Sequence, residues 1–213
     1  MDIIFRELNE ADASAYQVLR MKALKEEPHA FTRSYDDECT LSNHDFEVHI
    51  TATDNRFTLG VFDGNNLVAC VHFSRPPQSQ KRHLGEVTDL YVEPSYRSED
   101  IGKDLLSDCI ERATDMPYLA YLDATCSSDS IHAMRLFERA GFEVWGVETN
   151  AIHVNGKAVT QLHMRKQMQS DKEKDKKKET ARQSGEPLQA DASDETVFET
   201  DSVVEVETSA KRA

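Results

Sequence analysis

The chain has 213 residues, 38% hydrophobic and 30% charged, with a formal net charge of −14. That balance excludes general binding to a nucleic-acid backbone, which needs clustered Lys and Arg, and suits a cationic acceptor or plain solubility. No run of about 18 apolar residues exists to cross a membrane, and Met1 to Glu7 lacks the basic start and apolar stretch of a signal peptide, so a cytoplasmic protein is expected.

Ile3-Ile4-Phe5-Arg6 with Leu8 reads as a first strand. Asn9 is placed to cap a helix with Asp12 in its first turn, and that helix carries Tyr16, Leu19 and Ala23 on one face before Pro28 stops it. A weaker helical stretch covers roughly 35 to 50. Two strands, 57–62 and 67–73, flank the turn Asp63-Gly64-Asn65-Asn66. The next strand runs from about 83 to 92. A helix follows in which Ile101, Leu105 and Cys109 repeat at i, i+4, i+8, until Pro117 closes it. Residues 118–125 read as a strand. Ser128 or Asp129 then caps a helix with Ala133, Leu136, Phe137 and Ala140 on one face, and Gly141 stops it. Residues 142–154 and 157–166 flank Asn155-Gly156, a two-residue hairpin signal.

The expected order is therefore β-α-α-β-β-β-α-β-α-β-β. It implies an α/β (α+β) fold: a mixed, mostly antiparallel sheet flanked by helices. Composition changes after Met168. Residues 170–213 hold twelve acids and eight bases, with no sustained apolar face. The expected division is a folded domain over 1–168 and a disordered charged tail over 169–213, in which only the patch from Thr196 to Val206 has strand-like content.

The four cysteines, Cys39, Cys70, Cys109 and Cys126, show no C-x-x-C spacing, and the eight histidines no H-E-x-x-H. Reduced, mostly packed thiols and no metal are expected. The junction from Val92 to Lys103 is more informative, because a strand ends there and a helix begins. The first N–H groups of a helix lack internal partners and carry partial positive charge, so such a junction is a ready phosphate site. Arg97 is positioned to add a charge-assisted contact, and Gly102 permits close backbone approach.

The stretch Gly85 to Leu106 resembles the central motif of the GNAT (Gcn5-related N-acetyltransferase) superfamily, a strand leading into Q/R-x-x-G-x-G/A and a helix. Residues Ser130 to Phe142, SIHAMRLFERAGF, resemble the family's next motif, N-x-x-A-x-x-L-Y-E-K-x-G-F. The resemblance covers about residues 1 to 168. It implies acetyl-CoA as co-substrate, an amine acceptor that is a small molecule or a protein amino group, and transfer by direct attack in a ternary complex. It also implies that pantetheine lies along Leu90, Tyr91 and Val92. The amides of Ser98, Glu99, Asp100, Ile101, Gly102 and Lys103 would hold the pyrophosphate, and Ser130 would lie near the pantetheine arm. Glu86, eleven residues before Arg97, resembles the base glutamate of the histone-acetylating branch, with Asp89 as the second choice. A base is needed because a lysine-like amine has a pKa near about 10.4 and arrives protonated. Residues Pro28 to Tyr35 look like the P-x-A-F-x-x-S pattern of many bacterial members, which would place His29 and Tyr35 in the acceptor wall. Pairing at a sheet edge leaves a homodimer open.

Three positions depart from the family pattern. Asp100 replaces the first glycine of the loop, Ser130 replaces Asn, and Phe137 replaces a Tyr thought to protonate the leaving thiolate. A like-charge contact of Asp100 with phosphate has a ceiling of about 4 kcal/mol at intermediate dielectric. The competing reading of the chain is a non-catalytic binding module with a degenerate cofactor loop and a partner-recruiting acidic tail.

Overall fold

The computed structural model describes residues 2–97 and 100–168. The predicted tail, its strand-like patch, Ser98 and Glu99 lie outside the described residues. Among the described residues seven strands form one sheet in the order β1-β2-β3-β4-β5-β7-β6. They are β1 (Ile3–Glu7), β2 (Arg56–Asp63), β3 (Asn66–Ser74), β4 (Leu84–Val92), β5 (Tyr121–Ser127), β6 (Glu143–Val154) and β7 (Lys157–Gln167). Only β4 and β5 run parallel; the other neighbours are antiparallel. The helices are α1 (Ala13–Glu26), α2 (Tyr35–Glu38), α3 (Asn43–Ile50), α4 (Ile101–Thr114) and α5 (Ile131–Arg139). None of them is long and apolar enough to cross a membrane.

Alternation along the strands divides the core between the two sheet faces. One face carries Leu59, Val61, Val71, Phe73, Val87, Leu122 and Ala124 and packs against Ile101, Leu105, Cys109 and Ala113 of α4. The other carries Phe62, Leu67, Cys70 and Tyr91 and packs against Tyr16, Leu19 and Ala23 of α1 and Phe46 and Ile50 of α3. The single expected helix over 35–50 is two helices, because two capping boxes compete for the chain. Ser34 pairs with Asp37 and Ser42 with Asp45, and each Ser is extended at its helix start.

Other boundaries shift for local reasons. Asn9 caps a short 3₁₀ turn, Glu10–Asp12, which feeds α1. Tyr118 has φ +69 in a turn, so β5 begins only at Tyr121. The residue at the start of α5 is Ser130, not Ser128 or Asp129, and its side chain makes no cap bond. Both hairpins form as expected, with positive φ at Gly64, Asn155 and Gly156.

Candidate active site

The central feature is the separation of β4 from β5. They pair from Leu84–Tyr121 to Val87–Ala124 and no further. On its other side β4 carries a bulge: Thr88 faces His72 and Tyr91 faces Cys70, so Asp89 and Leu90 together oppose Val71. A bulge adds local twist and turns a strand away from its neighbour, which is where the open lip beside Leu90 begins.

The lip leads to the start of α4. Asp100 is the residue before this helix, with φ +58 and ψ 3, and its carbonyl accepts from the N–H groups of Lys103 and Asp104. The N–H groups of Ile101 and Gly102 precede the first internal acceptor. Gly102 lies so near Val92 that a Cβ there would sit 3.3 Å from its Cγ2. The left-handed region is one that glycine enters freely and Asp enters at a cost. Asp100 therefore keeps the glycine's backbone conformation while its own side chain is exposed. Lys103 is also exposed and pairs loosely with Asp104 at 3.9 Å, so its ammonium is easily re-aimed.

Arg97 is placed differently from expectation. Its Nε donates to the Val92 carbonyl at 2.9 Å and its Nη1 to Glu27 at 2.9 Å, which turns the guanidinium back toward α1. A phosphate contact would require it to leave Glu27. Leu90 and Val92 are partly buried along the lip. Tyr91 is buried and donates its hydroxyl to Glu26 at 2.6 Å, so only its backbone is available there. Ser130 is partly buried where β5 passes into α5, and its N–H donates to Ser127. Phe137 is a core residue, edge-to-face with Phe142 at 5.2 Å.

A cleft of about 420 Å³ opens on the α1–α3 face of the sheet, and Arg75, Lys81, Glu86, Asp123, Trp145 and His163 are among the side chains that line it. A larger hollow of about 580 Å³ runs along the outer side of α1, but one helix lines it and no chemical groups converge there. Glu86 stands beside Asp123 on the neighbouring strand. Glu86 is exposed at the mouth of the cleft, and its carboxyl is pushed above the ordinary range, first by the desolvation that the cleft walls impose and then by the charges of Asp123 and Asp89, with His163 opposing. Asp123 itself is held by Arg165 through bonds of 2.6 and 2.8 Å. His163 bonds Glu148 at 2.9 Å and lies 5.5 Å from the Trp145 ring. The cleft thus offers a carboxyl with a raised proton affinity beside a wall of aromatic and ion-paired side chains.

Asp89 does not have that character. Burial works to raise its proton affinity, but the hydrogen bond with His49 and the charge of Arg20 outweigh it and hold it well below the carboxylate range. Its oxygens are taken up by Tyr16, Arg20 and His49, which disfavours the second choice of base. His29 and Tyr35 stand at the end of α1, near Glu27 and under Lys25 respectively, and the turn Pro28–Ala30 that carries His29 packs against β5 and β6. Three thiols are no better placed for chemistry: Cys70, Cys109 and Cys126 are buried, and burial pushes Cys109 to about 12 and Cys126 to about 11, whereas Cys39 is exposed after α2 with its Sγ 3.5 Å from the Asp36 carbonyl. Among the described residues no cluster of groups suited to a metal ion occurs.

Sequence reasoning missed Asp123, Trp145 and His163. The Tyr121-Asp123-Thr125 alternation was the available signal, since it puts three polar groups on one strand face. It also missed Arg20, a cation on the same helical face as Tyr16, Leu19 and Ala23, which announces a buried carboxylate partner.

Comparisons with known proteins agree with this fold. No curated protein matches the chain. An acetyltransferase from Streptococcus pneumoniae superposes with a TM-score of 0.71 at 21% identity, covering 79% of this chain and all of the other. The yncA protein of Salmonella typhimurium, solved with its cofactor acetyl-CoA, gives 0.69 at 18% identity over 80% and 96%. A phosphinothricin acetyltransferase from Sinorhizobium meliloti in complex with acetyl-CoA gives 0.67 at 18% over 79% and 89%. The profile of the acetyltransferase (GNAT) family matches residues 15–142, and the chain belongs to that family.

Proposed function

We propose that the protein is an N-acetyltransferase that moves an acetyl group from acetyl-CoA to a primary amine by direct attack in a ternary complex. The observation that carries this reading is the divergence of β4 from β5 beside the start of α4, with Glu86 at the foot of the adjoining cleft. The structural relatives solved with acetyl-CoA support the same donor. The residues fit it: the lip exposes strand edge, Gly102 lets the helix start be approached, and Lys103 adds a movable cation.

Acetyl-CoA supplies an activated acyl group on a thiol whose ordinary pKa is near about 8.5, a tolerable leaving group near neutral pH. The protein's part is to bind, orient and move protons. The amine enters as an ammonium beside Glu86, whose raised proton affinity suits it to take a proton directly or through one water. Trp145 and the paired Arg165 and Asp123 form the wall against which the acceptor is held. No cysteine intermediate is needed, and Cys70, Cys109 and Cys126, buried and proton-retaining, do not favour one.

The rival reading is a binding module without catalysis. Asp100 in the glycine position and Arg97 held by Glu27 favour it. The two are separated by following thiol release from acetyl-CoA across a panel of primary amines, with mass analysis of the products. Amine-dependent release with an acetylated product is expected. Binding of acetyl-CoA with no release for any amine would leave the module reading standing.

A further inference from the structure

One carboxylate gathers the helices of the α1–α3 face onto the strand that diverges. Asp89 lies in the bulge of β4 with φ +54, a left-handed conformation that a non-glycine residue keeps only where its surroundings enforce it. Those surroundings are side chains from two helices. Arg20 Nη1 of α1 donates to Oδ1 at 2.9 Å, and Tyr16 OH of α1 donates to Oδ2 at 3.1 Å. His49 Nε2 of α3 bonds Oδ2 at 3.0 Å. Through its opposite edge Arg20 also holds Glu38 of α2, at 2.9 and 2.8 Å. The Asp89 carbonyl accepts from Cys70 Sγ of β3 at 3.4 Å.

The members differ in exposure. The side chains of Arg20, Glu38 and Asp89 are 7%, 6% and 12% exposed, and that of His49 is 41% exposed. The His49 ring lies on His72 at 4.4 Å, and His72 is bonded to Thr58 at 2.8 Å. His72 is paired with Thr88, the next position on the same sheet face after Glu86, which is paired with Ser74. His49 therefore covers the stretch of sheet next to the cleft. A buried group of two carboxylates around one guanidinium is costly to desolvate, and packed apolar side chains would serve stability as well.

We propose that Asp89 is a positioning residue for acetyl transfer: its carboxylate ties α1, α2 and α3 to the β4 bulge and so fixes the direction of the Leu90 backbone at the lip between β4 and β5. The inference rests on the acetyltransferase reading above. Asp89 touches neither reactant in this arrangement. It acts through the backbone that follows it and through His49, so that the cleft side and the donor side of the site keep one relative placement.

The test uses the full chain with Asp89→Gly, which accepts the left-handed φ but lacks the carboxylate, and Asp89→Asn, which keeps one oxygen acceptor. Circular dichroism checks folding, calorimetry gives the acetyl-CoA Kd, and steady-state kinetics on an accepted amine give kcat and KM. A misplacement of about 1 Å at a reacting centre reduces rate by about 100-fold. The expected result for Asp89→Gly is a kcat loss of about that size, with Kd and the amine KM within about threefold of wild type, and a partial recovery in Asp89→Asn. Folded variants that bind acetyl-CoA and turn over within about threefold of wild type would overturn the inference. If neither variant folds, Tyr16→Phe and His49→Gln each remove one arm alone. A kcat loss at constant Kd in either supports the proposal, and wild-type kcat in both overturns it. A wild-type chain inert toward acetyl-CoA overturns the parent reading and this inference together, whereas an active wild type with unaffected variants overturns this inference alone.

Discussion

At the scale of single residues, the proposed reaction rests on which carboxylate accepts a proton, and solvent exclusion with neighbouring charge separates the two candidates. Glu86 and Asp89 are three apart on one strand, yet Glu86 is raised by desolvation and like charges while Asp89 is lowered by His49 and Arg20. Glu86→Gln is therefore expected to lower kcat by about 100-fold with acetyl-CoA affinity unchanged. It should also abolish the fall in rate as pH drops through the raised Glu86 range, because only the ionised carboxylate accepts the proton. Unchanged pH–rate profiles for the variant would remove Glu86 from the mechanism. Asp100→Gly tests the helix start. Relief of the left-handed strain and of the charge near the phosphates should tighten acetyl-CoA binding by about tenfold at low salt. An unchanged Kd would mean that the loop accommodates Asp100. His72 reports on the network behind the site: burial first, and then the facing His49, hold it down to about 4. As pH falls below about 6.5 the unfolded chain takes a proton that the folded chain refuses until about pH 4, so stability is lost across that window, by up to about 3 kcal/mol. The other charged groups facing it are Asp89, Arg20 and Arg56. The depressed Asp89 contributes its own loss only at lower pH. His72→Gln should flatten the dependence of unfolding free energy between pH 7 and 4.5, and equal slopes would contradict the assignment.

At the scale of elements, local signals carried most of the information. The turns at Gly64 and Asn155-Gly156, the apolar face of α4 and the Gly141 stop with φ +87 are set within a few residues, and they appear as the sequence suggests. The stretch from 35 to 50 reads as one weak helical segment, but its two Ser-x-x-Asp boxes, at Ser34 and Ser42, each start a helix of their own. The Asp89 network was not legible, since its partners are 40 to 73 residues away and spacing cannot pair them. The Trp145 wall was hidden for the same reason, because the β5-β7-β6 order brings β6 to the edge beyond β7. Gly85 shows how strongly one element depends on another. A Cβ there would lie 2.6 Å from Phe73 Cε2 and 3.0 Å from side-chain atoms of Leu119 and Leu122, and Phe73 is itself stacked on Phe57 at 4.9 Å. Gly85→Ala should destabilise the fold by about 1–3 kcal/mol. A denaturant midpoint equal to wild type would mean that the strand gives way without cost.

At the scale of the whole molecule, the sheet supplies two rigid faces and one deliberate opening. The α4 face is apolar and closed, whereas the α1–α3 face carries both the ion-paired network and the cleft, and the two faces share the short parallel pairing of β4 with β5. The family could be read from two motif blocks because their residues fall on one strand–helix junction and one helix. The competence of the donor site could not be read, because Asp100 alters the backbone energetics and the charge of a position the motif reserves for glycine. The account therefore stands on donor binding. Calorimetric titration of acetyl-CoA into the full chain at two salt concentrations is the direct test. The account predicts binding with a Kd on the order of micromolar, weaker at high salt because charge contacts to the phosphates are screened. The absence of binding heat at millimolar acetyl-CoA, at either salt concentration, would contradict it.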